Sequence, residues 1–326
     1  MTVSIIIAVK TWQENLAKCV KESLALDFSD FEIIILPDVF FKQGIVPSQF
    51  GGVPIRVIPT GPLGPAMKRD IALKAANGDI LAFLDDDAYP RSDWLKNALK
   101  NFSDPDVAAV GGPAITPLED SDLQKVSGAI FASFLVSGKF VYRYIPRPRR
   151  EVDDYPSCNL LVRKSVMLQL GGFKTNFWPG EDTILCLEIT KKLGKKIIYD
   201  PEVLIYHHRR EVFLPHLKQI SSYAMHRGYF VKKFPETSFK LPYFIPSLFL
   251  VFVLSGTALN CFPHLLKTLY LACVFLYLLL VFISSISRGL KPLLISEVFV
   301  GIILSHLAYG FYFIKGLISS KLKEEA

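Results

Sequence analysis

Ile80-Leu81-Ala82-Phe83-Leu84-Asp85-Asp86-Asp87 is an unbroken apolar run that ends in three carboxylates. A run this short and continuous predicts a buried strand that delivers acidic side chains at its C-terminal end. Side chains two residues apart on an extended chain point the same way, so Asp85 and Asp87 are expected to share a face. Ligands of open α/β sheets bind at that end of the strands. Two hard oxygen donors there suit Mg²⁺ or Mn²⁺ carrying a diphosphate. The other reading is an acidic turn capping the next helix, and the triplet alone does not choose.

Around this strand, strand-like and helix-like stretches alternate. Val3 to Val9, Phe31 to Leu36, Pro54 to Ile58 and Val107 to Val110 read as strands. Glu14 to Leu26, Pro65 to Asn77 and Ser92 to Asn101 read as helices, the second closed by Gly78. Such alternation predicts an α/β fold, a mostly parallel Rossmann-like sheet with helices on both faces. No G-x-G-x-x-G follows the first strand and no Walker loop is present, which argues against a dinucleotide or P-loop site. Farther on, Leu123 to Tyr142 is apolar and helical, as one helix or two. Tyr155 to Val162, Lys196 to Tyr199 and Val203 to Tyr206 are strand-like, and Glu181 to Leu193 is a helix closed by Gly194. Glu211 to Lys233 has apolar residues at helical spacing with Lys, His and Arg between, the pattern of an interfacial helix or an ordinary surface helix.

The 326 residues are not evenly apolar. Beyond Leu241 come three apolar stretches, Tyr243 to Phe262, Leu265 to Ser287 and Leu293 to Phe313, each close to the ~20 residues that cross a bilayer core. The expected organisation is a head over 1–210, an interfacial linker over 211–241, and a membrane domain over 242–326 with about three transmembrane helices. Met1 to Val9 enters a strand pattern without a basic leader, so the head is expected in the cytoplasm at the cell membrane. Lys232, Lys233, Lys240, Arg288 and Lys291 agree with the positive-inside rule. Three crossings would carry Lys321 and Lys323 outside, against it; either the bias is weak there or one stretch is re-entrant. Glu297 and His306, inside the third stretch, are costly in lipid.

The net charge of +7 is explained by basic residues flanking the membrane stretches. The one basic cluster with aromatics, Arg143-Tyr144-Ile145-Pro146-Arg147-Pro148-Arg149-Arg150, does not make nucleic acid an expected partner. Cys19, Cys158, Cys186, Cys261 and Cys273 are widely spaced without Cys-x-x-Cys, and read as free thiols. Nothing in the sequence sets an oligomeric state.

The order of these pieces resembles glycosyltransferase family 2, the inverting nucleotide-sugar transferases of GT-A fold, from Val3 to about Gly228. Val3-Ser4-Ile5-Ile6-Ile7-Ala8-Val9 looks like the family's first strand, with Ala8 where proline is usual. Glu32-Ile33-Ile34-Ile35-Leu36-Pro37-Asp38 looks like the second, with Pro37 where the first of two aspartates is usual. Gly64-Pro65-Ala66-Met67-Lys68-Arg69-Asp70 resembles the family's glycine and Ala-Arg-Asn segment, and Asp79 to Asp87 matches the D-x-D strand. Asn159-Leu160-Leu161-Val162-Arg163 and Gly171-Gly172-Phe173 match the approach to the acceptor side, and Gly180-Glu181-Asp182 the family's Glu-Asp pair.

The resemblance implies a nucleotide-sugar donor, UDP or GDP based, bound by Ala8, Asp38, Arg69, Asp85 and Asp86, with Arg69 near the base. It implies Mn²⁺ or Mg²⁺ on Asp87 and Asp85, joined by His207. It makes Asp182 the base that deprotonates the acceptor hydroxyl and Glu181 the residue that positions the acceptor. One base and no covalent nucleophile imply inversion. The membrane stretches suggest a lipid-linked acceptor, whose phosphate Arg147, Arg149 and Arg150 would meet, while Arg209 and Arg210 suit diphosphate oxygens. A processive synthase is the less expected form, since no Gln-x-x-Arg-Trp follows Gln219. A nucleotidyltransferase would need a glycine-rich loop in place of Lys10-Thr11-Trp12-Gln13-Glu14. A catalytically silent membrane scaffold would be expected to have lost Asp87 or Asp182, and both are present.

Overall fold

The structure, a computed structural model, describes residues 1–42, 49–50, 52–286 and 290–325. Ser287 and Arg288, which entered the reading of the membrane stretches, lie outside the described residues. The strands are β1 (Val3–Ala8), β2 (Phe31–Leu36), β3 (Gln49–Phe50), β4 (Val53–Val57), β5 (Ile80–Asp85), β6 (Ala88–Pro90), β7 (Val107–Gly111), β8 (Ala114–Ile115), β9 (Arg150–Val152), β10 (Asn159–Arg163), β11 (Lys196–Tyr199) and β12 (Ile205–His207). The helices are α1 (Glu14–Leu24), α2 (Pro65–Ala75), α3 (Trp94–Asn101), α4 (Asp122–Ala132), α5 (Phe134–Ser137), α6 (Lys164–Leu170), α7 (Glu181–Leu187), α8 (Leu214–Lys233), α9 (Pro235–Ser238), α10 (Leu241–Ser255), α11 (His264–Ile286) and α12 (Ile295–Ile318).

By internal contacts the chain divides into two compact units. One is Met1–Ile115 with Ile145–His208; the other is Thr116–Tyr144 with Arg209–Glu324. The first carries a sheet in the order β3-β4-β2-β1-β5-β10-β7-β11-β9. β4, β2, β1, β5, β7 and β11 all point the same way, and β10 enters antiparallel between β5 and β7. The sheet is thus mostly parallel, as expected. Successive side chains of β1 and β2 go to opposite faces. Ile5, Ile7, Ile33 and Ile35 share a core with Leu16 and Cys19 of α1 and Trp94 and Leu95 of α3. On the opposite face, Phe83 of β5 lies under the Arg69 guanidinium of α2.

Two expectations change. The strand expected over Asp79 to Leu84, just ahead of the triplet, runs Ile80–Asp85, and Asp86 and Asp87, expected to continue as extended chain, form a turn into β6. The segment 116–144, expected inside the 1–210 head, belongs to the second unit. Its Val126, Ala129 and Ile130 form one core with Val281, Val298 and Ile302 of the C-terminal helices. The stretch 123–142 is broken at Ser133, whose extended backbone separates α4 from the short α5.

Three helical stretches in the second unit are long and apolar enough to cross a membrane: Leu241–Cys261, His264–Ile286 and Pro292–Glu325. The linker helix α8 is held against α12 by contacts only glycine permits. A Cβ on Gly228 would lie 2.1 Å from the Phe313 carbonyl oxygen, and one on Gly316 would lie 2.0 Å from that of Met225.

Candidate active site

β12 lies antiparallel to β6 with His207 opposite Ala88, and the His208 amide donates to the Asp87 carbonyl at 2.9 Å. This short pairing carries His207 across 120 residues of sequence to the carboxylate turn. Its Nε2 lies 3.0 Å from Asp87 Oδ1. Asp85, Asp87 and His207 each offer a ligand atom, and the three atoms lie within 4.8 Å of one another. Burial pulls the His207 imidazole down, but the Asp87 charge beside it more than reverses this and pushes it up to about 10. Two carboxylates and one imidazole, all half-buried, fit the donor set of a divalent cation. The turn brings Asp85 and Asp87 together where an extended strand was expected to.

Arg69 links this cluster to the Glu-Asp pair. It is 3% exposed on α2, and its Nη2 donates to Asp85 Oδ1 and its Nη1 to Glu181 Oε1, both at 2.9 Å. The guanidinium also rests against the rings of Phe83 and Phe173. The resemblance implied that Arg69 lies near a nucleotide base and that Asp38 helps to bind the nucleotide. The structure instead gives Asp38 to Lys68, whose Nζ also donates to the carbonyls of Val9 and Leu36. One step along a helix rotates a side chain by about 100°, and that step sends Lys68 to β2 and Arg69 to β5.

Glu181 and Asp182 open α7 after Gly180, which takes φ of 120°. Glu181 is 4% exposed and turned onto Arg69, so it does not extend toward an acceptor as expected. Burial and the neighbouring Asp182 charge raise its carboxyl to about 7, against the opposing pull of Arg69. Asp182 is half-buried, and its oxygens accept from the Ser157 amide at 3.2 Å and the Thr183 amide at 2.8 Å. Of the two carboxylates, Asp182 is the less buried.

The Gly171-Gly172-Phe173 turn is fastened to α2. Asp70 accepts from the Phe173 amide at 2.7 Å, and a Cβ on Gly172 would sit 2.3 Å from Asp70 Oδ1 at a φ of 96°. Ala8, the last residue of β1, pairs in register with Asp85. Asp86 accepts from Gln13. The roles of Gln13 and Lys68 were not anticipated: Gln13 is the residue before α1 and Lys68 lies within α2.

The arginines do not gather here. Arg149 donates twice to Asn101 Oδ1, at 3.0 and 2.9 Å, and the Arg147 amide donates to the Tyr199 hydroxyl. Arg150 opens β9, four strands from β5 in the sheet order, roughly 19 Å at the usual strand spacing. Arg209 is buried in the second unit, stacked 5.2 Å from the Tyr144 ring with Nε on the Thr116 hydroxyl, and Arg210 is exposed.

Comparison with known proteins places this geometry. A protein of Mycobacterium tuberculosis named pre-mycofactocin glycosyltransferase is 34% identical over 148 residues, 45% of this chain and 30% of its own length. A glucosyl-dolichyl phosphate glucuronosyltransferase of Haloferax volcanii is 23% identical over 220 residues, 64% of this chain and 69% of its own length. The fold is shared with the mannosyltransferase PcManGT of Pyrobaculum calidifontis, solved with GDP-Man and Mn²⁺, at a TM-score of 0.53 and 16% identity, covering 98% of this chain and 88% of that one. The family model described as glycosyltransferase like family 2 matches residues 3–221, and the chain belongs to that family.

Proposed function

We propose that this chain is a metal-dependent, inverting glycosyltransferase that moves a sugar from a UDP- or GDP-sugar to a lipid-linked acceptor in a membrane. The observation that carries the reading is the junction at Arg69, which ties the Asp85–Asp87–His207 cluster to the Glu181–Asp182 pair through two 2.9 Å bonds. The relatives named for transfer to a dolichyl phosphate and to pre-mycofactocin support a nucleotide-sugar transferase, and the three apolar helices support a lipid acceptor.

Asp85, Asp87 and His207 would hold Mn²⁺ or Mg²⁺, which supplies charge neutralisation to a leaving diphosphate. Ala8, Asp38 and Asp86 line the same ends of β1, β2 and β5 and would bound the nucleotide. Asp182 takes the proton of the acceptor hydroxyl as its oxygen bonds to the anomeric carbon and the bond to the diphosphate breaks. That single displacement inverts the anomeric centre. The two amides donating to Asp182 orient its carboxylate. Glu181 acts through Arg69, keeping the guanidinium between the two halves of the site. Arg147, Arg149 and Arg150 remain candidates for an acceptor phosphate, and Arg210 for diphosphate oxygens. The head is expected on the cytoplasmic side.

The test is release of nucleoside diphosphate by the full chain in detergent, screened over UDP- and GDP-sugars with Mn²⁺ or Mg²⁺. Each reaction is run with and without polyprenyl phosphate, beside Asp182→Asn. Metal-requiring turnover of one donor, lost in the variant, is the expected result. Failure of any nucleotide to bind would overturn the reading.

A further inference from the structure

α12 is as apolar as a crossing helix, with a mean hydropathy of 1.7 over its best window, but it is packed unlike the other two. A third of that window is buried in the protein, against 6% for α10 with its following turn and 11% for α11. The partners that bury it decide what it can be.

Over its first half α12 runs beside α4 and α5. Lys291, just ahead of it, pairs with Asp122 at the start of α4, Val298 and Ile302 share a core with Val126 and Ile130, and His306 meets the Leu135 carbonyl. Over its second half it runs beside α8 in the same direction. His216 Nε2 lies 3.0 Å from Ser305 Oγ, Gly228 abuts Phe313, and Lys232 Nζ reaches the Ser319 carbonyl at 2.6 Å. α8 carries Lys218, Gln219, Arg227, Lys232 and Lys233, a set that cannot stand in hydrocarbon. If α12 crossed the bilayer, α8 would be carried in beside it.

α10 and α11 behave differently. Phe249 stacks near Tyr277 and Phe252 near Tyr270, so they form an antiparallel hairpin with Cys261 and His264 at its turn. α12 does not follow either arm. Its Phe313 meets Phe244 of α10, its His306 touches both Phe249 and Tyr277, and its Val298 and Ile302 reach Val281 of α11. It passes from one arm to the other, as a helix laid across the hairpin does. Its exposed apolar residues Val300, Phe311 and Ile318, spaced 11 and 7 apart, fall on one narrow face.

We infer that α12 lies in the membrane interface beside α8, with that narrow face in the lipid, and that only the α10–α11 hairpin crosses. The chain then crosses twice, and Ser319–Glu325 returns to the side of Lys232 and Lys233. This joins Lys321 and Lys323 to the other basic residues, and the hydrogen bond between Glu324 and His226 of α8 is made on one side of the bilayer. The inference stands on the second unit alone and holds whatever the first unit catalyses.

The test uses the full chain in intact cells and a membrane-impermeant maleimide, applied before and after permeabilisation, with labelled peptides identified by mass spectrometry. Native Cys261 reports the hairpin turn; Lys233→Cys and Lys323→Cys, both at exposed positions, report the end of α8 and the segment after α12. The expected result is that the reporters at 233 and 323 label together and Cys261 labels under the opposite condition. Labelling at 323 together with Cys261 would establish a third crossing and overturn the inference. Labelling of all three together would overturn it as well, by denying that the hairpin crosses.

Discussion

Replacing Arg69 by Met removes the one cation between two carboxylates, and the cost should depend on pH. Glu181 is 4% exposed and already raised to about 7 by burial and by Asp182, with Arg69 pulling the other way. Stripping a partner from a buried pair costs roughly 3–5 kcal/mol. The pH dependence follows from linkage. A carboxyl whose folded pKa lies above its unfolded value of 4.5 binds its proton more tightly in the fold. Its contribution to stability is therefore greatest at low pH, falls as pH rises through 4.5 to 7, and is level above. Without Arg69 the folded pKa climbs further, because the adjacent opposite charge that favours the ionised form is gone. The fall then continues past pH 7 at about 1.4 kcal/mol per unit.

Near pH 6, below the raised value of Glu181, the charge effect is smallest, and what remains is the loss of the bonds to Asp85 and Glu181 and of the packing. By pH 8.5 the variant should be worse by about 2 kcal/mol more, which is about 4–8 °C in Tm for a unit of this size. Trp12, Trp94 and Trp178 all lie within the first unit, so tryptophan fluorescence during heating in detergent reports on that unit alone. Adding Glu181→Gln to Arg69→Met should flatten the dependence again. An equal deficit at pH 6 and 8.5, or no effect of the second substitution, would refute the view that Arg69 balances a buried Glu181.

Three further outcomes are expected. Asp87→Asn should weaken Mn²⁺ binding by more than 10-fold, read by calorimetric titration, because one of three clustered donors loses its charge; unchanged affinity would place the ion elsewhere. Asp182→Asn should lower kcat by about 10²–10⁴ while leaving the nucleotide-sugar Kd unchanged, since Asn cannot take the acceptor's proton and its single amide oxygen replaces only one of the two oxygens that accept from Ser157 and Thr183. Gly172→Val should lower the Tm of the first unit sharply, by at least ~2 kcal/mol in stability, because its Cβ would meet Asp70 at 2.3 Å where φ is 96°; a wild-type Tm would show that the turn is free to move.

The legibility of the site followed sequence distance. Asp85, Asp86 and Asp87 are marked by the strand they directly follow, although the triplet alone leaves an acidic helix cap open, and Glu181 and Asp182 are singled out through the family resemblance. The parallel sheet was legible for the same reason: each strand is short, apolar and followed by a helix with its own amphipathic period. The choice between Lys68 and Arg69 was not, since adjacent residues differ only in the direction their helix turns them. Nor was the burial of Glu181, which depends on an arginine 112 residues away.

Sequence by itself determined the apolar strands, the carboxylates at the end of one of them and the three long hydrophobic helices, because each follows from composition and period within one segment. Tertiary structure alone decided that His207 meets Asp87 through a three-residue strand pairing, that Glu181 faces inward, and that 116–144 packs with the C-terminal helices. It also decided that α12, apolar enough to cross a bilayer, is flanked along its length by α4, α5 and a charged α8. The physical reason is common to all four: hydropathy and period report what a segment can bury, while packing decides what it is buried against.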